Sequence, residues 1–350
     1  MRSVDVRSLA LGLCAALGLT VQAARAGNFV YTSIDVPGAV ATFPTSVNDA
    51  GVVAGTYQTT ANGAQYGGFL WSNGTFTTFT GHDPRNTVGG PVVTNGGMVA
   101  FAAAGPHGNF QTALIRRPDG LVTTVKTPQH GFSWVNGANN HGQIVGNYSM
   151  GGSADRYGFL AQNRQAVDLS VPGAANTFPV AIDDQGVVAG WYGLAIGGLL
   201  HGFYYQNGAF TTFDPPGSDL TVATTINRAG DIAGYYYTPQ TGTGTFGFVL
   251  SHGHFHKYKA RPGNEKEVVT SLSYVMSPDY VAGNFYNIVE QYAFTYTSGV
   301  YTQMTPFNAT VSYVNAGNSA GTLVGGYTDS NKVSHGFVAV CPAGQAPCTN

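Results

Sequence analysis

The sequence predicts an all-β protein in which seven four-stranded blades form a β-propeller, and three observations support this fold. A Gly-Phe motif recurs about every 45 residues, with a leucine in one copy. Short runs rich in Val, Phe, Tyr and Thr alternate with Gly or Asn turns, and no segment has an amphipathic helical period. A strand-built repeat of this length is typical of a propeller. The recurring position is occupied by Phe69, Leu114, Phe159, Phe203, Phe248, Phe294 and Phe337.

Residues 41 to 80 serve as the template for one blade. They contain four strand-like runs, at residues 41–48, 52–58, 67–71 and 75–80, each bounded by Gly or Asn. Turns between the third and fourth strands carry Asn73-Gly74, Asp119-Gly120 and Asn207-Gly208. Such dipeptides provide the positive φ angles of a tight hairpin, so we expect a two-residue hairpin at each of them.

The inner hairpin of the template recurs along the whole chain. Its copies span residues 47–55, 94–101, 139–146, 182–190, 226–234, 276–283 and 316–325. The chain begins with a lone outer-strand motif at 29–35 and ends with a lone third-strand motif at 336–340. We therefore predict that both termini complete the last blade, which closes the ring and removes exposed strand edges.

The repeat combines Asn-x-x-Gly followed by Val-Ala-Gly-x-Tyr, then His/Tyr-Gly-Phe, and Pro-Gly after the outer strand. With these motifs the repeat resembles the bacterial HAF-type extracellular repeat family. The resemblance covers essentially the whole chain after its first residues. It implies a secreted, propeller-like protein without an established common activity.

The first residues have the pattern of an export signal. Arg2 and Arg7 precede an apolar run at residues 9–21, and cleavage fits after Ala23 or after Ala26, which we prefer. We therefore divide the chain into a signal peptide at 1–26, the propeller at 27–340 and a tail at 341–350. Cys341 and Cys348 follow the last strand, and export favours a disulfide between them that prevents fraying.

Composition narrows the function classes. Charged residues make up 9% of the chain, and removal of residues 1–26 leaves 12 basic and 16 acidic residues, a net charge of −4. This balance does not favour a nucleic-acid partner, and no second apolar stretch reaches the roughly 20 residues of a membrane helix. We expect a secreted monomer, extracellular or periplasmic, without a cofactor.

Two motifs with a chemical pattern are interpreted as architecture. The Gly-x-Ser-x-Gly around Ser319 falls on an inner-hairpin turn, whereas a hydrolase nucleophile needs a strand, a strained turn and a helix. His201 and His335 precede Gly-Phe where other blades have an aromatic residue, so we expect them to pack.

Residues that break the repeat are the candidates for function. They lie in blade-joining loops or in loops between second and third strands, which should emerge on one loop-rich face. The histidines are candidate acids or bases, and the remaining residues are candidate ligand-binding groups. The candidates are His82, His107, His130, Asp83, Arg85, Arg156, Arg261 and Glu265.

His254 and His256 alternate on one outer strand, so they point the same way and form a candidate zinc or copper pair. No carboxylate or thiol is adjacent, and no complete metal site is expected. Lys257 and Lys259 are predicted on the other, exposed strand face.

Two functions are compatible with this pattern. The first is a secreted binding module for an extracellular glycan or protein on the loop-rich face. The alternative is an extracellular polysaccharide lyase, in which His and Tyr groups transfer protons and an arginine neutralises the uronate carboxylate.

Overall fold

Antiparallel β-strands dominate the computed structural model. It describes residues 23–26, 29–60, 66–81, 88–104, 111–129, 131–150, 155–239, 244–259, 269–287 and 290–341. The segment beginning at Ala41 contains β3 (Ala41–Val47), β4 (Val53–Gln58), β5 (Tyr66–Ser72) and β6 (Thr75–Phe79). These strands pair in order within one antiparallel set, and their bounds agree with the template to within one residue.

The same four-strand arrangement follows along the chain. The second set is β7 (Val88–Val93), β8 (Val99–Ala104), β9 (Gln111–Arg116) and β10 (Val122–Thr124). The third set is β11 (Gly131–Ala138), β12 (Ile144–Met150), β13 (Tyr157–Gln162) and β14 (Gln165–Asp168). The fourth set is β15 (Asn176–Ile182), β16 (Val188–Gly193), β17 (Leu200–Gln206) and β18 (Ala209–Phe213).

Two further sets complete the internal repeats. They are β19 (Leu220–Ile226), β20 (Ile232–Tyr237), β21 (Thr245–Ser251) and β22 (His254–Tyr258), followed by β23 (Val269–Ser277), β24 (Tyr280–Tyr286), β25 (Gln291–Thr297) and β26 (Val300–Met304). A short 3-10 helix, Pro306–Asn308, precedes β27 (Val311–Gly317), β28 (Leu323–Thr328) and β29 (Ser334–Val340).

The N-terminal strand completes the last set. β2 (Phe29–Ile34) pairs antiparallel with β29, with Val30 opposite Val340 and Ile34 opposite Gly336. β1 (Ala23–Ala26), which spans both predicted cleavage positions, pairs with the other edge of β2. β29 also forms a parallel bridge to β3, from Ser334 to Ala41.

The core consists of apolar clusters between successive sets. Phe69 and Val53 of the first set pack with Ile34, Val324 and Val338 of the last. The recurring phenylalanine is explained by a glycine opposite it: Gly55 pairs with Phe69, and Gly190 with Phe203. A Cβ at Gly190 would lie 2.7 Å from the Phe203 ring, so the glycine leaves the space that the ring fills.

The hairpin turns agree with the prediction at two of three places. Asn73-Gly74 and Asn207-Gly208 have positive φ at both residues. At the third place only Gly120 has positive φ, at 89°, so the prediction for Asp119 was wrong. Asp119 instead accepts a hydrogen bond from the Leu121 backbone, which stabilises a different turn.

Candidate functional site

Most of the predicted candidates on the loop-rich face lie outside the described residues. Their convergence stays a prediction. These residues are His82, Asp83, Arg85, His107, His130, Arg261 and Glu265.

Arg156 is the one predicted ligand-binding residue in the described part of the chain. Its guanidinium carbon lies 5.3 Å from the centre of the Trp134 ring, a cation–π contact. Its Nη1 donates to the Asp155 carbonyl oxygen at 3.2 Å, and its backbone N–H donates to Asn176 Oδ1 at 3.1 Å. Arg156 therefore ties the third set to the fourth.

His254 and His256 both have exposed side chains on β22. Within the described ranges, no group of three or more His, Cys, Asp or Glu side chains is placed to hold a metal ion. The prediction that Lys259 is exposed was wrong. Its side chain is buried, its Nζ donates to the Thr245 carbonyl oxygen at 3.1 Å, and it lies 4.4 Å from the centre of the Phe246 ring.

His201 and His335 pack as predicted, and each also binds a carboxylate. His335 stacks on Tyr327 with ring centres 4.9 Å apart, and its Nδ1 lies 2.8 Å from Asp35 Oδ1. His201 packs on Tyr192, with its Nδ1 2.8 Å from Asp214 Oδ2. The Asp35 contact crosses the junction between the N-terminal and C-terminal strands.

Cys341 packs against the apolar cluster of the last set. Its predicted partner, Cys348, lies outside the described residues, so the disulfide between them stays a prediction.

A cavity of about 400 Å³ opens on the face that carries the inner-hairpin turns. Each first strand contributes a residue at or near its end, and these residues form an apolar collar. The turns contribute the residues that follow, and these form a polar rim outside the collar. The apolar collar is Val47, Val93, Ala138, Ile182, Ile226, Val275 and Gly317. The polar rim is Asp49, Asn95, Asn140, Asp184, Arg228 and Ser319.

Asparagines between the collar and the rim connect neighbouring turns. The Oδ1 of Asn48 accepts the Val52 backbone N–H within its own turn, and its Nδ2 donates to the Thr94 carbonyl oxygen at 3.0 Å. Asn139 makes the same pair of contacts, to Gln143 N and to the Asp183 carbonyl oxygen. The Asn of the Asn-x-x-Gly motif therefore closes its own turn and fastens it to the next one.

The polar rim is hydrogen-bonded from turn to turn. Asn95 Nδ2 donates to Asp49 Oδ2 at 2.7 Å, and Asn140 Nδ2 donates to Asp184 Oδ2 at 2.9 Å. Ser319 Oγ donates to Asp49 Oδ1 at 2.7 Å, across the junction of the last and first sets. Ser319 thus lies on a turn, as predicted, and its hydroxyl is hydrogen-bonded to the Asp49 carboxylate.

Arg228 crosses the mouth of the cavity. Its Nη2 lies 2.5 Å from Asp49 Oδ2. Arg228 belongs to the fifth set and Asp49 to the first, and these two sets are not neighbours. Its Nε lies 3.4 Å from Asp184 Oδ2 on the neighbouring set. One guanidinium is therefore shared by two carboxylates.

Both of these carboxylates are held in the ionised form. Burial alone would raise the pKa of Asp49, but hydrogen bonds from Ser319 and Asn95 and the Arg228 charge lower it to about 2. For Asp184 the burial effect is likewise outweighed, by hydrogen bonds from Asn140 and by Arg228, and its pKa is lowered.

Asp183 differs from the asparagines that fasten neighbouring turns. It occupies the place of Asn48 and Asn139, and its Oδ1 accepts the Val187 backbone N–H at 2.8 Å. Its Oδ2 is buried without a hydrogen-bond partner among the described residues, and the residue is 5% exposed. Burial raises the pKa of this carboxyl.

The sixth set interrupts the polar lining. Met276 stands at the asparagine position, and Tyr274 Oη donates to the Asn318 carbonyl oxygen at 2.7 Å. The sixth set therefore contributes aromatic and aliphatic side chains to the cavity, whereas the carboxylates come from the first and fourth sets.

Sequence reasoning missed this site because it treated every turn residue as architecture. The signal that could have found it was present in the repeat alignment. Arg228 stands where other turns carry Asp, Asn or Ser, and Asp183 stands where four other turns carry Asn. Comparison of the turns residue by residue would have singled out both positions.

No protein-family model matches the sequence, and no curated protein is similar to it. Solved structures match the fold. An oligogalacturonate lyase in complex with manganese is similar with a TM-score of 0.61 at 9% identity, over 92% of this chain and 96% of that chain. The β-propeller domain of the trilobed protease from Pyrococcus furiosus gives a TM-score of 0.58 at 8% identity, covering 85% and 95%.

An acylaminoacyl peptidase from Pyrococcus horikoshii gives a TM-score of 0.57 at 6% identity, and the match spans 85% of this chain and about half, 51%, of that one. The common feature of these structures is the fold. The chain is therefore an all-β protein with the β-propeller fold. In the described ranges, no helix is long and apolar enough to cross a membrane.

Proposed function

We propose that the protein is an exported, seven-bladed β-propeller that acts as a binding module, with its ligand in the cavity on the ring axis. The blades are the six internal four-strand sets and the set completed by β2. The pairing of β2 with β29 supports closure through both termini. The basic residues and apolar run at the N-terminus support export, and the HAF-type repeat remains our proposed family.

The shape and lining of the cavity carry this proposal. A volume of about 400 Å³ lies within the range of small-molecule sites, which combine apolar walls with a few fixed polar groups. The apolar collar and the polar rim match that description. The rim groups are oriented by hydrogen bonds to one another, so little ordering would accompany binding.

Asp49 and Asp184 suit a binding role better than the role of a general acid or base. Asp49 and Asp184 are stabilised as anions with low pKa values, whereas a general acid or base needs a pKa near the working pH. The polysaccharide lyase hypothesis depends on histidines outside the described residues. A glycan or protein ligand on the loop-rich face likewise remains a prediction.

A cavity-filling substitution tests the proposal. Ala138 belongs to the collar, and Ala138→Trp would fill the cavity. We expect at least one class of small ligand, among neutral sugars, carboxylates and amines, to raise the melting temperature of the wild type but not of this variant.

Ala195→Trp is the matched control, because Ala195 is exposed in the loop between β16 and β17 and does not belong to the inner-hairpin turns that line the cavity. It should keep the full ligand effect. A panel without any stabilising ligand would contradict the proposal. An equal shift in Ala138→Trp would also contradict it and would direct attention to the loop-rich face.

A further inference from the structure

One loop of the fourth set exposes only apolar side chains and glycines. It connects β16 to β17 at residues 194–199, and we call it the aliphatic loop. All six of its residues are exposed, and Leu194, Ile196 and Leu199 are 61%, 63% and 58% exposed. Single exposed aliphatic residues are common on protein surfaces, but a contiguous group of them marks an interaction site.

The backbone of the aliphatic loop forms a defined turn. The Gly198 N–H donates to the Ala195 carbonyl oxygen at 3.1 Å, and Gly197 has a φ of 72°, which glycine adopts without strain. At the base of the loop, Gly193 pairs with Leu200 across the two strands. The three aliphatic side chains are therefore presented from a tight turn on a paired hairpin.

The aliphatic loop also breaks the repeat. Between Asp184 and Asp214 the chain contains no Asp, Glu, Lys or Arg. In each of the other six sets, the segment between the second and third strands contains at least one Asp, Glu, Asn, Gln or His. These segments are residues 59–65, 105–110, 151–155, 238–244, 287–290 and 329–333. An apolar loop is therefore a property of the fourth set and not of the architecture.

The aliphatic loop lies on the face opposite the axial cavity. β16 begins next to the inner-hairpin turn of Asp184, which lines the cavity, and ends at the aliphatic loop. Three further exposed apolar residues lie at the strand ends or loops of the same face, in the first, sixth and last sets. They are Val40, Tyr286 and Val333. Apolar surface is thus presented from several sets on this face, and most of it comes from the aliphatic loop.

We propose that the aliphatic loop inserts into the surface of a zwitterionic phospholipid bilayer and attaches the protein to it peripherally. The three side chains together present roughly 300 Å² of apolar surface, well below the about 800 Å² that each partner buries in a stable protein–protein contact. A lipid surface needs no complementary pocket, and it accepts aliphatic side chains at the boundary between headgroups and acyl chains.

The charges beside the aliphatic loop indicate an uncharged lipid surface. His201, just after the loop, is hydrogen-bonded to Asp214 at 2.8 Å, and Asp219 precedes the strand that bridges to β17. On the other side, the backbone of Arg156 is hydrogen-bonded to Asn176, on the strand next to β16. With His201 neutral, these two carboxylates and one guanidinium have a net charge of −1. Anionic lipid would therefore not strengthen the contact.

Flotation with phosphatidylcholine vesicles tests the proposal. The chain that begins at Gly27 is used, because it keeps β2 to β29 and lacks the apolar run at residues 9–21, which could itself bind lipid. Its melting temperature is compared with that of the full-length protein to verify folding. We expect this chain to float with the vesicles at low and high salt alike, and phosphatidylglycerol should not increase the bound fraction.

Substitutions in the aliphatic loop locate the contact. Leu194→Ser, Ile196→Ser and Leu199→Ser should each weaken partitioning about fivefold, and the triple variant about a hundredfold, because less apolar area enters the lipid. Leu121→Ser is the matched control, since Leu121 is 53% exposed in the turn between β9 and β10 on the opposite face. It should leave partitioning unchanged. All these side chains are exposed, so the melting temperatures should equal that of the wild type.

A tryptophan placed in the aliphatic loop reports its insertion. In Ile196→Trp, the fluorescence added to that of the wild type should shift to the blue on vesicle binding and be quenched by lipids with brominated acyl chains. Leu121→Trp should show neither effect.

The proposal is overturned if the wild-type chain does not float, if binding requires phosphatidylglycerol, or if Leu121→Ser loses as much partitioning as the loop variants. Dimerisation without flotation, abolished in the triple variant, would also overturn it and would assign the loop to a contact between two copies of the chain. The axial cavity faces away from the aliphatic loop, so its ligand test with Ala138→Trp succeeds or fails independently.

Discussion

At the scale of single residues, one substitution in a repeat changes the chemistry of the ring. Asn139 satisfies two backbone groups with one side chain, since its Oδ1 accepts and its Nδ2 donates. Asp183 keeps the accepting oxygen but has no donor for the neighbouring turn. Its carboxylate is buried, so the fold carries an unsatisfied polar atom at this place.

We therefore expect Asp183→Asn to stabilise the protein by about 1 to 2 kcal/mol at neutral pH, the cost of one unsatisfied buried group. The raised pKa of Asp183 means that the folded state binds this proton more tightly than the unfolded state. Wild-type stability from this group is thus lost as pH rises through the folded pKa. The gain measured by chemical unfolding should shrink toward about pH 4.

The reverse exchange, Asn139→Asp, is the matched control. It should destabilise the protein by a similar amount at neutral pH, since it creates the arrangement of Asp183 in another turn. Equal stability of both variants and the wild type would contradict the proposed role of the asparagine Nδ2.

At the scale of the strands, the glycine of Val-Ala-Gly is explained by close approach. Gly146 on β12 lies opposite Phe159 on β13. A Cβ there would collide with the Trp134 carbonyl oxygen and lie 2.8 Å from the Phe159 ring. The repeat therefore places a glycine on one strand opposite a large aromatic ring on the next strand.

We expect Gly146→Ala to lower the free energy of unfolding by about 2 kcal/mol or more, because neither the backbone nor the buried ring can move away freely. Urea unfolding would measure the loss. Gly89→Ala is the control, since its Cβ would meet only the Ala102 carbonyl oxygen at 3.9 Å. The spacing argument fails if the two variants lose the same stability.

At the scale of the whole molecule, the two ends of the chain share one sheet. Phe29, Tyr31 and Ile34 of β2 are buried, and Tyr31 packs edge-on against Phe337 of β29 at a ring-centre distance of 5.7 Å. Without β2, the edge of β29 and this apolar surface would face water. The last set would then expose an unpaired strand edge, and such an edge promotes aggregation.

A chain that begins at Val36 should therefore unfold at a much lower temperature and aggregate, because it lacks several large buried side chains, each contributing about 1.5 to 3 kcal/mol. A chain that begins at Gly27 lacks β1 and keeps β2, so its melting temperature should match that of the full-length protein. Calorimetry and light scattering compare the two. Similar behaviour of both truncated chains would contradict closure through β2.

The sequence predicted strands and turns accurately where they depend on residues that are close together in the chain. The strands 41–48 and 75–80 appear as Ala41–Val47 and Thr75–Phe79, because alternating apolar residues and Asn-Gly turns act over a few residues. Lys259 shows the limit, since its burial depends on Phe246 and on the Thr245 carbonyl oxygen from another strand. No local pattern records such a contact.

By itself, the sequence determined the repeat, the all-β fold and the strand order, because each repeat specifies the same hairpins. Only the tertiary structure decided which turn residues meet. Asp49 and Arg228 are 179 positions apart and belong to sets that are not neighbours, yet their side chains form an ion pair across the axis. The physical reason is that a ring brings all its inner turns to one mouth, where charges from distant repeats act on one another.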